Sequence, residues 1–313
     1  MGSSRFDPKA YASYATATAS FDHTTSYNTA ATHARKASID PKTSFNPKVI
    51  KVRESTKSDL NPHPTPVIVG LDVSGSMGRV VEAMRKGLGT LFEEIIKRDP
   101  VSDPHVLAMA IGDMEWDTTP VQATQFEADP VTIGKQIEDL YLERGGGGND
   151  HESYLGPLYF ALMRTSCDAF KEGRKGYIFT VGDEQPQQKL TKGEIERWFG
   201  DQPTKDYTAE ELVATVERNW NVFHIIVAEG NHMLSYRDRT IKEWRELMGQ
   251  RVIVLEDHTK MAETIISAIE VTEGRDKDSV VKSWSGDTSV VVASAIAGLP
   301  AAHSSSGSGP VTL

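Results

Sequence analysis

The chain has 313 residues, 38% of them hydrophobic and 25% charged, with a formal net charge of −10. That length suits one α/β domain of about 200 residues with appendages, or two small domains, and the acidic balance excludes a basic nucleic-acid footprint. The single cysteine, Cys167, excludes an intramolecular disulfide and fits a reducing compartment. An apolar leader and an apolar span of membrane length are both absent from the sequence, so the expectation is a cytoplasmic protein with no membrane contact.

Residues 1 to about 62 are rich in Ser, Thr and Ala and carry scattered aromatics at Tyr11, Tyr14, Phe21, Tyr27 and Phe45. They read as a disordered or loosely docked arm, or as an extended arm that ties onto a partner through those aromatics. Asn61-Pro62-His63-Pro64-Thr65-Pro66 is a stiff, extended entry to the first apolar run.

The chain is organised around that run and its continuation, Pro66-Val67-Ile68-Val69-Gly70-Leu71-Asp72-Val73-Ser74-Gly75-Ser76-Met77. The apolar part predicts a strand buried on both faces, as in a parallel sheet. It stops at Asp72, and Ser74 and Ser76 come after it in alternation. A carboxylate and two hydroxyls at a strand's carboxyl end are three hard oxygen ligands, which fits a Mg²⁺ site. A helix N-terminus with Ser74 or Ser76 as cap is the simpler alternative, but it uses one hydroxyl and leaves the alternation unexplained.

Helical spacing runs from Gly78 to about Arg98, and His105 to Ile111 is a second apolar strand. Asp113 to Asp117 reads as a turn, with Val121 to Phe126 as the returning strand of a hairpin. Ile133, Ile137, Leu140 and Tyr141 mark a short helix. Then come four glycines, residues 145–148, and Asn149-Asp150-His151-Glu152-Ser153, followed by a helix whose apolar face is expected to continue through Ser166 and Phe170 and to include Cys167 as a small buried side chain. His151 has no neighbouring His or Cys in sequence and is read as a loop residue or a partner of Asp150.

Gly176 to Val181 is another buried strand, ending at Gly182-Asp183-Glu184, so that an acid again stands at a strand's carboxyl end. Thr191 with Glu194 and Thr208 with Glu211 are capping-box signatures and predict two helices around Pro203. Val222 to Ala228 is a strand in which His224 is a core or face histidine. A helix from about Asp238 to Met248, a strand from Val252 to Leu255 and a helix from Met261 towards Gly274 complete the pattern. The tail carries a second apolar patch, Val290 to Ile296, that docks on the domain or on another subunit, and ends in a Ser/Gly stretch.

The Asp-Val-Ser-Gly-Ser-Met segment at residues 72–77 resembles the metal-ion-dependent adhesion site of von Willebrand factor A (VWFA) domains. The resemblance covers roughly residues 64 to 274. It implies a Rossmann-like α/β fold: a doubly wound, mainly parallel six-stranded sheet with one antiparallel edge strand. It implies domain limits of 1–62 for the arm, 63–274 for the VWFA domain with a helical insertion at about 188–206, and 275–313 for the tail.

The family also implies a ligand set of Asp72, Ser74, Ser76, Glu152 and Asp183 around Mg²⁺ or Mn²⁺. Many members use a Thr in the second loop. This chain has none there and looks more like the integrin β-subunit version, with Glu152 as the candidate, Asp150 and Asn149 as rivals, and Glu184 as the alternative to Asp183.

By the same resemblance, the function is a non-enzymatic, cation-dependent protein-binding module or adaptor. Its metal captures an Asp or Glu of a protein partner, with Glu115, Trp116 and Asp117 on the hairpin, and the insertion helices, expected to shape the choice. Intracellular prokaryotic and phage members often work beside MoxR-type AAA+ ATPases. The alternatives are a structural subunit of a virion or ring with a secondary metal, and a Mg-dependent phosphoryl-transfer enzyme. The last lacks the second Asp such enzymes carry, because Ser74 stands in its place.

Overall fold

The computed structural model describes residues 44–74, 97–140 and 151–300, together with isolated positions before and between them. Ser76, Asn149, Asp150, the glycines at 145–148, most of the helix expected over 78–98, and the Ser/Gly end lie outside the described residues.

In chain order the strands are β1 (Arg53–Ser55), β2 (Thr65–Asp72), β3 (Pro104–Ile111), β4 (Val121–Ala123), β5 (Thr165–Cys167), β6 (Gly176–Gly182), β7 (Lys189–Leu190), β8 (Tyr207–Thr208), β9 (Trp220–Val227) and β10 (Val252–Leu255). The helices are α1 (Pro130–Glu138), α2 (Leu155–Met163), α3 (Asp168–Lys171), α4 (Lys192–Phe199), α5 (Ala209–Val216), α6 (Met233–Met248), α7 (Met261–Thr272), α8 (Lys277–Lys282) and α9 (Asp287–Ile296).

Six strands form the central sheet in the order β10-β9-β6-β2-β3-β4. All pairs are parallel except β3 with β4. This is the Rossmann-like arrangement with one antiparallel edge that the sequence pattern implies.

Every residue of β2 is buried, as a strand with helices on both faces requires. Its side chains alternate between two cores. Val67, Val69 and Leu71 join Ile265, Ile269 and Ile296 on one face. Ile68 joins Leu107, Tyr159, Phe160 and Trp244 on the other.

Both capping boxes are present. Thr191 caps α4 and Thr208 caps α5, each reciprocated by the glutamate three residues on. Helix α4 ends at Gly200, where φ is 75°, a left-handed turn that glycine adopts without strain. A short antiparallel pair, β7 with β8, closes the base of this insertion.

Three segments differ from the sequence reading. The helix expected to run to Phe170 ends at Met163, and Cys167 sits, buried, in strand β5. The cause is tertiary: β5 pairs in parallel with β1, and the Thr165 hydroxyl closes the helix end by donating to the Ala161 carbonyl at 2.6 Å. Strand β4 stops at Ala123 because the Thr124 hydroxyl takes over the next pairing position, accepting from the Ala108 amide at 2.9 Å. Helix α6 begins at Met233, one turn earlier than its apolar spacing shows.

The segment 44–60, within the expected arm, packs on the domain. Ile50 is in the core, β1 pairs with β5, and the buried Arg53 donates to the carbonyls of Ala123, at 3.1 Å, and Ser44. At the other end, Val292, Ala295, Ile296 and Leu299 bury the apolar patch of the tail against the sheet face that carries α7.

Candidate metal centre

Strands β2 and β6 are neighbours at the middle of the sheet. The chain leaves β2 for β3 on one side and leaves β6 for β9 on the other. Such a reversal opens a crevice at the carboxyl ends of the strands, which is where ligands bind in open α/β sheets. Asp72 is the last residue of β2, and Asp183 is the first after β6.

Both acids are wholly buried. Asp72 Oδ1 accepts from the Ser74 amide at 2.8 Å, and the Ser74 hydroxyl also bonds to Asp72. Asp72 Oδ2 accepts from the Tyr154 hydroxyl at 2.9 Å. Asp183 Oδ2 accepts from the His232 amide at 3.3 Å. A Cβ on residue 230 would lie 2.0 Å from that same oxygen, so the carboxylate rests directly on the backbone of Gly230.

Glu152 enters from the loop before α2. The adjoining Ser153 pins this loop to the end of β3: its amide donates to the Gly112 carbonyl at 3.2 Å and its hydroxyl accepts from the Met114 amide at 2.9 Å. Glu152 is 2% exposed, and its Oε2 has no hydrogen-bond partner. Burial pushes its carboxyl pKa up, and the charges of Asp72, Glu184, Asp117 and Asp113 push it further. Burial also raises Asp72, followed by the charge of Asp183. Asp72 thus repels both Glu152 and Asp183 in one buried region.

Tyr154 lies against the carboxyl ends of both β2 and β6. Its ring is held edge-on to His224 and Trp244, with centroids at 5.0 and 5.4 Å. The Glu184 amide donates to its oxygen at 3.4 Å. The hydroxyl passes so close over Gly182 that a Cβ there would sit 2.0 Å from it. His224 is a core histidine, as its alternation in β9 predicts. Its Nδ1 lies 2.8 Å from the Thr180 hydroxyl and its ring stacks on Trp244 at 3.5 Å.

The donor set fits a hard divalent cation: carboxylates and a hydroxyl, one carboxylate oxygen unpartnered and buried, and the strongest charges on Glu152 all negative. The residues that would hold it are Asp72, Ser74, Glu152 and Asp183. Ser76 lies outside the described residues.

Among the described residues, the group that brings three His, Cys, Asp or Glu ligand atoms within 4.8 Å of one another is Glu229, Asp257 and His258, at the ends of β9 and β10. Within it, Glu229 Oε2 accepts from the His258 amide at 2.8 Å, and Asp257 Oδ1 accepts from the Thr259 amide at 2.9 Å. Asp72, Glu152 and Asp183 do not bring three carboxylate oxygens within that distance of one another, so water and hydroxyl oxygens would have to complete a shell between them.

Sequence reasoning did not single out Tyr154, Gly230 or the nearness of Asp113 and Asp117 to Glu152. The signal available was Asp113-x₃-Asp117 just past a buried strand, another pair of acids on the same sheet edge.

No family model matches the chain, and no curated protein matches it. Solved structures do. The pilus adhesin SpaC of Lactobacillus rhamnosus GG is 12% identical over 70% of this chain and 32% of its own, with a TM-score of 0.43. Proximal thread matrix protein 1 of the mussel byssus is 15% identical over 71% of this chain and 48% of its own, at a TM-score of 0.40. A form of that protein with a zinc-occupied MIDAS motif is 12% identical over 67% of this chain and 46% of its own, at 0.39. This chain thus spans less than half the length of these structures.

Proposed function

We propose that this domain is a divalent-cation-dependent protein-binding module. A cation held by Asp72, Ser74, Ser76, Glu152 and Asp183 engages an Asp or Glu of the partner. The observation that carries the reading is Glu152: a buried carboxylate with an unpartnered oxygen, surrounded by other acids, at the switch point of the sheet. Mg²⁺ or Mn²⁺ is the proposed ion, because oxygen donors without imidazole or thiolate select hard cations.

The neighbourhood is more acidic than the Asp-x-Ser-x-Ser motif alone implies, since Glu184, Asp113 and Asp117 all bear on Glu152. Much of the cation's charge is neutralised from within. The metal then fixes where the partner's acid sits, and contacts around it supply much of the affinity. Trp116, 66% exposed on the turn after β3, and Leu234, 83% exposed at the start of α6, stand on the sheet edge where such contacts form.

An adaptor role beside a MoxR-type AAA+ ATPase in the cytoplasm, without catalysis, extends this proposal. It rests on the motif resemblance. It also accords with the observation that, among the described residues, no helix is long and apolar enough to cross a membrane. The test is capture of partners from lysate by the full chain in Mg²⁺ and in EDTA, alongside Asp72→Ala shown by circular dichroism to be folded. Partners retained in Mg²⁺ and lost both in EDTA and in the variant support the reading. Partners indifferent to both refute it.

A further inference from the structure

A cavity of about 300 Å³ opens beside the metal centre, between the two loops that carry Glu152 and Asp183. Its walls include His151, Gln185, Gln187, Lys189, Arg239 and Glu243. His151 and Gln185 form a parallel β-bridge that ties the two acid-bearing loops together at the cavity's edge. The cavity thus begins one residue from Glu152 and two from Asp183.

Two of its polar side chains are buried with unmet hydrogen-bonding capacity. Gln185 is 3% exposed, and neither its Nε2 nor its Oε1 has a partner. Gln187 is 5% exposed; its Nε2 donates to Glu194 Oε1 at 3.2 Å, which leaves its Oε1 as the unpartnered end. A buried amide left unpaired costs stability, so these three atoms are built to meet something that enters from outside.

The unpartnered atoms are one amide nitrogen, carrying two N–H donors, and two carbonyl oxygens. A carboxylate or phosphate offers acceptors alone and would leave both glutamine oxygens unmet. A polypeptide backbone offers N–H and C=O groups in alternation, which matches both ends of Gln185 and adds an N–H for Gln187. The volume is at the lower end for ligand sites and admits a short extended stretch rather than a folded element. The charged groups on the walls are of both signs, with Arg239 paired to Glu243 at 2.8 Å, so the cavity does not select by charge.

We propose that this cavity is a peptide-backbone subsite: Gln185 and Gln187 hydrogen-bond the main chain of the partner next to the acid held at the metal. The inference rests on the binding reading above and deepens it. Gln185 becomes the residue that separates a protein acid from a free carboxylate.

The experiment uses the full chain in Mg²⁺ and two probes, acetate and N-acetyl-aspartyl-alanyl-alanine N-methylamide, followed by NMR titration. The blocked peptide is expected to bind about tenfold or more tighter than acetate, because each added hydrogen bond contributes severalfold in affinity. It should also shift the Gln185 side-chain NH₂ resonances, which acetate leaves unmoved. In Gln185→Met the peptide should lose that advantage while acetate binds as before. The wild-type resonance shift keeps the test decisive if the variant folds poorly. Equal affinity for both probes with a silent Gln185 amide overturns the subsite and leaves the metal reading standing. Peptide binding that needs Gln185 but survives EDTA supports the subsite and overturns metal capture.

Discussion

Two buried glutamates on opposite sides of the molecule meet opposite fates. Glu270, on α7, is fully buried and lies between two arginines, Arg98 at 3.3 Å and Arg275 at 2.7 Å. The Arg98 guanidinium also donates to the Ser283 hydroxyl at 2.6 Å and stacks over the Trp284 ring at 3.7 Å. Glu152 is just as buried, yet the charges that weigh on it are those of four other acids. Folding itself neutralises the first glutamate, and Arg98 also ties the turn after α8 to α7. The second is left for an ion to neutralise. A buried charge with its counter-charge on the same chain is part of the scaffold, and one without it marks a place for a ligand.

The largest expected effect comes from breaking the satisfied side. Arg98→Met should cost about 3 kcal/mol of unfolding free energy by chemical denaturation, because it removes a partner from a buried carboxylate. Relieving the other side should act in the opposite direction. In EDTA, Glu152→Gln should stabilise the chain by roughly 1–3 kcal/mol, since it deletes an acid that burial and its neighbours oppose. The same variant should lose its thermal response to Mg²⁺. Equal destabilisation by both substitutions would erase the contrast.

Cation and pH sharpen it further. Mg²⁺ at about ten times its dissociation constant should stabilise the wild-type chain by roughly 1.4 kcal/mol. Burial, and then the charge of Asp183, push the Asp72 carboxyl of the metal-free chain well above the ordinary aspartate value. A raised folded pKa contributes stability at low pH that is lost as pH rises through that value. The metal-free chain should therefore lose stability as pH rises from about 4 through neutrality, with Glu152, raised in the same direction, carrying the loss further, and the gain from Mg²⁺ should grow over the same range. Melting curves in EDTA and in Mg²⁺ at pH 5.5 and 8 test this, and a gain that shrinks with pH contradicts it.

Smaller effects are expected from the groups that hold or flank the acids. Tyr154→Phe removes the donor to Asp72 and should weaken Mn²⁺ affinity by about tenfold with the fold intact, read by calorimetric titration. Trp116→Ala should change stability by less than about 0.5 kcal/mol, because the ring is mostly exposed. Its effect belongs to partner retention.

The parts of this arrangement legible in the sequence are those set by local pattern. The apolar runs of β2 and β6 locate the sheet centre, and Asp72 and Asp183 are visible because each interrupts such a run at its carboxyl end. Thr191 and Thr208 announce α4 and α5 through contacts three residues away. What escaped notice depends on chain segments far apart. Strand β5 forms because β1 comes alongside it, which no periodicity within residues 155–170 encodes. Gly230 is required by the Asp183 side chain, and Tyr154 reaches Asp72 across 82 positions of sequence. The cavity amides are similar: no local pattern marks Gln185 and Gln187, and their burial in the cavity wall exists only in the fold.

Anomalous diffraction from crystals grown in Mn²⁺ will show whether Asp72, Glu152 and Asp183 gather around a cation. A peak bounded by oxygens of those three residues and the Ser74 hydroxyl is expected. A peak at Glu229, Asp257 and His258 with none at the ends of β2 and β6 would contradict it.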